Sequence, residues 1–310
     1  MPVDTQNENV GGKLIAANVL IIGAGLIGGS LAKALREGGF AETLVGYGRR
    51  QEQLQLGIDL GVLDQAAADL PAAIAAADII VLGVPTLTVK DYLPLLEQHK
   101  KPSSVVTDAA SVKGEIADVI CQHFGQIPSW FVLGHPIAGS EKSGIEASDA
   151  TLYVNHKVIL TPDDNTSPQA LQLITDMWVA VGADVVCMGI EEHDRVLAAT
   201  SHLPHAIAFA LVNALVDMDS GVEDIFRFAA GGFRDFSRIA ASHPVMWHDI
   251  MIANKASVLD VLGDFKQALS NMEQAIENED SEALLDMFQR SKDARDHFTR
   301  LLEESNRSTK

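Results

Sequence analysis

Residues 19–30 read Val19-Leu20-Ile21-Ile22-Gly23-Ala24-Gly25-Leu26-Ile27-Gly28-Gly29-Ser30. Four consecutive apolar residues suit a strand buried on both faces, and a helix-forming run, 30–36, follows almost at once. The glycines between them are spaced Gly-x-Gly-x-x-Gly. Gly23 permits a tight turn, Gly25 lets backbone approach a pyrophosphate, and Gly28 allows the helix to pack close to the strand. The amides at the helix start, around Leu26 and Ile27, then offer donors and partial positive charge to phosphate. Strand, glycine turn and helix in this order predict a dinucleotide-binding unit with Gly23, Gly25, Leu26, Ile27 and Gly28 against the cofactor.

Outward from this unit, short apolar runs at 43–47, 79–83, 105–107, 130–133, 157–161 and 184–188 alternate with helical stretches. That alternation predicts a parallel sheet covered by helices on both faces, a Rossmann-type α/β domain over 18–189. The alanine-rich patch 66–77 reads as a surface helix. From 190 the pattern turns helical, giving an all-helical domain over 190–304 flanked by tails at 1–17 and 305–310. Phe265, Leu269, Met272 and Ile276 recur at spacings of three or four; Leu284, Leu285 and Phe288, then Phe298, Leu301 and Leu302, resume beyond a polar break at 279–281. The stretch 198–215 is apolar around much of its circumference, which suits burial inside that domain or at an oligomer interface.

The 310 residues are enough for two domains with substantial cores. A formal charge of −19 argues against nucleic acid and anionic membranes as partners, so an anionic ligand has to meet a local cluster of Arg or Lys. Two cysteines far apart in sequence, Cys121 and Cys187, fit a reducing cytoplasm better than a disulfide scaffold. The N-terminus carries no basic, signal-like region, and no apolar run reads as a membrane span. Zinc-like Cys/His spacing, a Gly-x-Ser-x-Gly elbow and a Walker lysine loop are all missing, so no metal is expected.

The second strand ends Val45-Gly46-Tyr47-Gly48-Arg49-Arg50. A glycine stands where a carboxylate usually meets the ribose 2′-hydroxyl of NAD, and two guanidiniums follow it. Arg49 and Arg50 therefore favour NADP, with NAD also possible. Val84 and Pro85, after the run 79–83, would form an apolar wall near the cofactor. Asp108 reads as the cap of a helix beginning near 112, whereas Ser111 could face the cleft and reach His135 or a substrate hydroxyl. Hydride removal from an alcohol needs a proton acceptor. His135, in the loop Gly134-His135-Pro136-Ile137-Ala138-Gly139-Ser140-Glu141, has the residue type for it.

Five motifs appear in order: 23–30, Thr107-Asp108-Ala109-Ala110-Ser111-Val112-Lys113, 134–141, Ser201-His202-Leu203-Pro204-His205 and Asp235-Phe236-Ser237-Arg238-Ile239-Ala240. Together they resemble the prephenate/arogenate dehydrogenases of tyrosine biosynthesis, over roughly 19–302. The resemblance implies a Rossmann domain plus a helical domain through which two subunits dimerise. It also implies oxidative decarboxylation of prephenate to 4-hydroxyphenylpyruvate, or of arogenate to tyrosine. By the same resemblance His135 is the base and Ser111 orients it or the hydroxyl. Arg238 binds a carboxylate of the dianionic substrate, His205 is a second histidine on the substrate side, and Trp247 approaches from the dimer partner. Arg234 reads as supporting, His202 as buried and hydrogen-bonded, Glu141 as a link between domains or a modifier of pH response, and Lys113 as solvated. A chorismate mutase or ACT region, present in some members, finds no room here.

Two other readings stay open. A β-hydroxyacid dehydrogenase needs a lysine with an asparagine four residues on, but Lys255 is followed at that spacing by Leu259. A cofactor-sensing module without catalysis would need no proton acceptor beside an anion-binding arginine.

Overall fold

A computed structural model describes residues 16–139, 142–218 and 225–308. The N-terminal half is built on a parallel sheet of strands β1 (Ala16–Ile22), β2 (Ala41–Tyr47), β3 (Gln65–Ala66), β4 (Ile79–Leu82), β5 (Val105–Asp108) and β6 (Phe131–Val132), in the order β3-β2-β1-β4-β5-β6. Helices α1 (Leu26–Glu37), α2 (Gln51–Asp59), α3 (Leu70–Ala76), α4 (Leu93–His99), α5 (Gly114–Phe124) and α6 (Pro168–Ala180) cover it. Successive side chains of a strand point to opposite faces, which builds two cores. Val19 and Ile21 pack with Leu31, Leu35 and Trp178 on one side; Leu20 and Ile22 pack with Ile74, Leu96 and Ile120 on the other. Ile22 pairs with both Tyr47 and Leu82, so the turns after β1, β2 and β4 meet at one edge, where the strand order reverses. In open α/β sheets that crevice is where ligands collect.

Four sequence expectations change. The runs 157–161 and 184–188 do not join the main sheet. They form β8 (Lys157–Leu160) and β9 (Asp184–Cys187) of a separate three-stranded sheet, ordered β7-β8-β9. Its first member, β7 (Gly134–Pro136), is the segment expected to be a loop, and it runs antiparallel to β8 with His135 opposite Ile159. Apolar runs report that a strand exists, not which sheet accepts it. The alanine-rich patch contributes β3 before its helix, and β1 begins two residues inside the expected tail.

The C-terminal half is helical: α7 (Ile190–Leu197), a π-helical stretch Ala198–His202, α8 (Leu203–Met218), α9 (Gly231–Ser237), α10 (Pro244–Ala253), α11 (Lys255–Glu277) and α12 (Ser281–Ser308). The last helix thus runs through the expected tail at 305, and the break between α11 and α12 falls at the polar residues, with Glu279 at φ 51°. Residues 190–218 are long and apolar enough to cross a membrane by length and composition. Within this run His193, Asp194 and His202 are nevertheless buried and hydrogen-bonded in the folded chain, which identifies a packed helix of the domain. Leu197, Ala198 and Ala208 are buried too, whereas Val216 and Met218 towards its end are exposed. Leu269, Ile276, Leu285, Phe288 and Phe298 are likewise exposed, leaving an apolar face of the kind a second subunit covers.

Candidate active site

The glycine turn has the shape of a phosphate cradle. Gly23 sits at φ +97°, and a Cβ there would lie 2.7 Å from the carbonyl carbon of Gly83. A Cβ at Gly28 would come within 2.8 Å of Ile21 Cγ2, whereas one at Gly25 would meet nothing within 4 Å. The turn is therefore closed towards the protein at Gly23 and Gly28 and open at Gly25, where a pyrophosphate needs the backbone bare. Helix α1 starts at Leu26, so its first amides have no intrahelical acceptors. Tyr153, buried, donates to the Ile27 carbonyl at 2.6 Å and pins this first turn. Val84 lies against Gly23, and Gly48, Arg49 and Arg50 follow β2, the two arginines exposed. A Cβ at Gly48 would approach only Leu54, at 3.8 Å, which leaves open space beside the end of β2. These residues fit a dinucleotide.

Beside the crevice, Asp108 ends β5 and is fully buried. It does not cap α5. Its carboxylate accepts from the amides of Ala110 at 3.0 Å and Gly134 at 3.2 Å and pairs with Lys113 Nζ. Lys113 is likewise fully buried rather than solvated, and it donates to the Gly134 carbonyl at 2.6 Å. Burial lowers its pKa while Asp108 works in the opposite direction. The pair ties the loop that carries Ser111 to the strand that carries His135. The cap of α5 comes instead from the other domain: Asp194 accepts from the amides of Lys113 and Gly114, both at 2.8 Å.

His135 is 8 % exposed, and its Nδ1 lies 2.9 Å from Nε2 of His193, whose own Nδ1 lies 2.8 Å from Asp194 Oδ1. Among the described residues no hydrogen bond joins His135 to Ser111, which is half-buried. Burial first, then the charges of His193, Lys113 and His202, push His135 well below the ordinary histidine value. It is therefore neutral at physiological pH, the state a proton acceptor needs.

A row of histidines leads from here into the helical domain. His202 is buried and hydrogen-bonded, as expected, with Nδ1 3.1 Å from Asn254 Nδ2; burial pushes it down to about 4. His205 bonds through Nδ1 to the Ser201 carbonyl at 2.9 Å. Burial lowers its pKa and the Arg238 guanidinium adds to this, against the Ser201 bond. Trp247 stacks on His205 within the same chain, ring centroids 3.7 Å apart and 22° between planes. Arg238 is exposed at the end of α9, while Arg234 is exposed and paired with its neighbour Asp235 at 3.4 Å. Glu141 lies outside the described residues.

The fold thus gathers His135 and Lys113 from one half and His193, Asp194, His202, His205 and Trp247 from the other. Sequence reading missed His193 and Asp194. In Ile190-Glu191-Glu192-His193-Asp194-Arg195 they look like a solvated helix start; the sole hint is that α7 begins at the domain boundary.

Comparison with known proteins agrees with this architecture. Residues 31–187 match the prephenate dehydrogenase nucleotide-binding domain and 190–290 match the prephenate dehydrogenase dimerization domain. The solved prephenate dehydrogenase of A. aeolicus, in complex with hydroxyphenyl propionate and NAD+, is 38% identical, with a TM-score of 0.87 over 92% of this chain and 99% of that one. The Synechocystis arogenate dehydrogenase structure is 31% identical, with a TM-score of 0.76 over 91% of this chain and 99% of its own. A cyclohexadienyl dehydrogenase of Zymomonas mobilis is 36% identical over 284 residues, 90% of this chain and 94% of its own length. With both halves matched in order and the glycine cradle and histidine row in place, the chain belongs to the prephenate dehydrogenase family.

Proposed function

We propose that this protein catalyses oxidative decarboxylation of prephenate to 4-hydroxyphenylpyruvate, of arogenate to tyrosine, or of both, in tyrosine biosynthesis. The observation that carries the reading is a buried, neutral His135 between a dinucleotide cradle and an arginine-bearing helical domain. A nicotinamide dinucleotide held by the Gly23–Gly28 turn would supply the hydride acceptor. His135 Nε2 takes the proton of the ring hydroxyl as the carbinol hydrogen leaves as hydride. The bond between the quaternary ring carbon and its carboxylate then breaks, carbon dioxide leaves, and the bonding pair completes the aromatic ring. Ser111 holds the hydroxyl. Arg238 binds a substrate carboxylate bidentately, with His205 and Trp247 beside it.

We further infer that NADP is preferred and NAD accepted. Gly48 removes the carboxylate that would repel a 2′-phosphate, and Arg49 and Arg50 supply charge for it. The A. aeolicus relative holds NAD+, so a Michaelis constant for NAD at or below that for NADP would overturn this choice. The match to a dimerization domain, with the exposed apolar face of α8, α11 and α12, supports a homodimer. The free cysteines Cys121 and Cys187, both exposed, support a reducing cytoplasm.

The test is reduced-cofactor formation by the purified protein with prephenate and with arogenate. His135→Ala should lower turnover ~100-fold or more with substrate binding retained, the scale of a lost general base. Absence of reduced cofactor with both substrates would favour a sensing module instead.

A further inference from the structure

His193 and Asp194 have no part in the proposal above, yet they make the one hydrogen bond to the imidazole of His135 seen among the described residues. Asp194 holds four groups. It accepts from His193 Nδ1 and from the amides of Lys113 and Gly114, and its own backbone carbonyl accepts from Asn254 Nδ2 at 2.8 Å. Burial opposes its charge, but the bonds from His193 and the two amides keep the carboxyl below the usual carboxylate range. A carboxylate only accepts, so His193 must donate through Nδ1. Burial, with Lys113 adding to it and Asp194 opposing, keeps His193 below the ordinary histidine value. As a neutral ring with its proton on Nδ1, it offers Nε2 as an acceptor. The proton between the rings then belongs to His135 Nδ1, and Nε2 of His135 is left bare.

We propose that His193 and Asp194 are positioning residues that fix the tautomer of His135 from the opposite domain, so that Nε2 is a base only when the two domains are joined. This rests on His135 being the proton acceptor. When Nε2 of His135 takes the hydroxyl proton, the Nδ1 proton can move to Nε2 of His193, and one positive charge then rests against the Asp194 carboxylate. That transfer answers a specific need. His135 is held neutral by burial and by Lys113, which makes it available but weakly basic, and a carboxylate at the end of the row stabilises the charge it acquires. A purely mechanical role for Asp194, capping α5 and joining the domains, requires nothing of the His193 to His135 bond.

The direct test reads the imidazoles without substrate. In long-range 1H–15N spectra of 15N-histidine-labelled protein, His135 should carry its proton on Nδ1. In Asp194→Ala the acceptor that holds the proton on His193 Nδ1 is gone, and the His135 proton should no longer be confined to Nδ1. Turnover of Asp194→Ala should fall about 100-fold or more, with Michaelis constants within about threefold of the parent. His193→Gln keeps an acceptor near the Nε2 position and should lose about tenfold, His193→Ala about 100-fold or more. An Nε2–H tautomer in the parent would overturn the proposal. So would full turnover in folded His193→Ala while His135→Ala is inactive, an outcome that leaves His135 as the base. A fully active His135→Ala would remove the base assignment itself.

Discussion

Lys113→Met leaves the Asp108 carboxylate inside the sheet without its cation, and the cost can be worked from the geometry. Both side chains are 0 % exposed, and removing one partner of such a pair costs about 3 to 5 kcal/mol, because the other charge stays buried. Asp108 keeps the amides of Ala110 and Gly134, which places the loss at about 3 kcal/mol, while the Gly134 carbonyl loses the bond from Nζ. For a domain of this size roughly 2 to 4 °C accompany each kcal/mol, so the melting temperature should fall by about 6 to 12 °C. Scanning calorimetry without ligand, at one fixed protein concentration because the stability of any self-associating protein depends on it, gives the number. Adding Asp108→Asn should recover about half of the loss. The charge is gone, but an amide has one acceptor oxygen where the two backbone amides of Ala110 and Gly134 use two. A Lys113→Met protein melting within about 2 °C of the parent, or a double variant no better than the single, would refute the buried pair as a structural centre.

Acid should destabilise the fold before the carboxylates titrate. His202 goes from 6.5 to about 4 on folding, so below pH 6.5 the unfolded chain binds a proton the native one refuses; stability falls from 6.5 towards 4, by on the order of 3 kcal/mol from this residue. Urea midpoints at pH 7 and pH 5 measure it, and a His202→Asn protein with the same pH slope would exclude His202 as the source. Gly48→Asp should shift the ratio of NAD to NADP efficiency at least tenfold towards NAD, read from kcat/KM for both cofactors; an unchanged ratio would detach Gly48 from the ribose. Arg238→Ala should raise the substrate Michaelis constant by about 2 to 4 kcal/mol in binding, roughly 30- to 1000-fold, with turnover little changed. A loss confined to turnover would move Arg238 away from carboxylate binding.

The sequence by itself determined the dinucleotide domain and the helical half, because both are written in local patterns. A glycine turn between strand and helix has few other uses, and apolar period separates buried strands from amphipathic helices. His135, Ser111, Arg238 and His205 stand out as candidates because each sits in a distinctive motif. Tertiary structure alone decided what lies around them. Asp108 reads as a helix cap until Lys113 is seen folded back on it, and 157–161 reads as one more parallel strand until β7 pairs beside it. Neither His193 nor Asp194 has any local signal, since a His-Asp pair in an acidic helix start is ordinarily solvated; 58 residues separate His193 from His135. Burial and hydrogen-bond partners are properties of elements brought together across a domain boundary. They set the environment of His135, and no spacing along the chain encodes them.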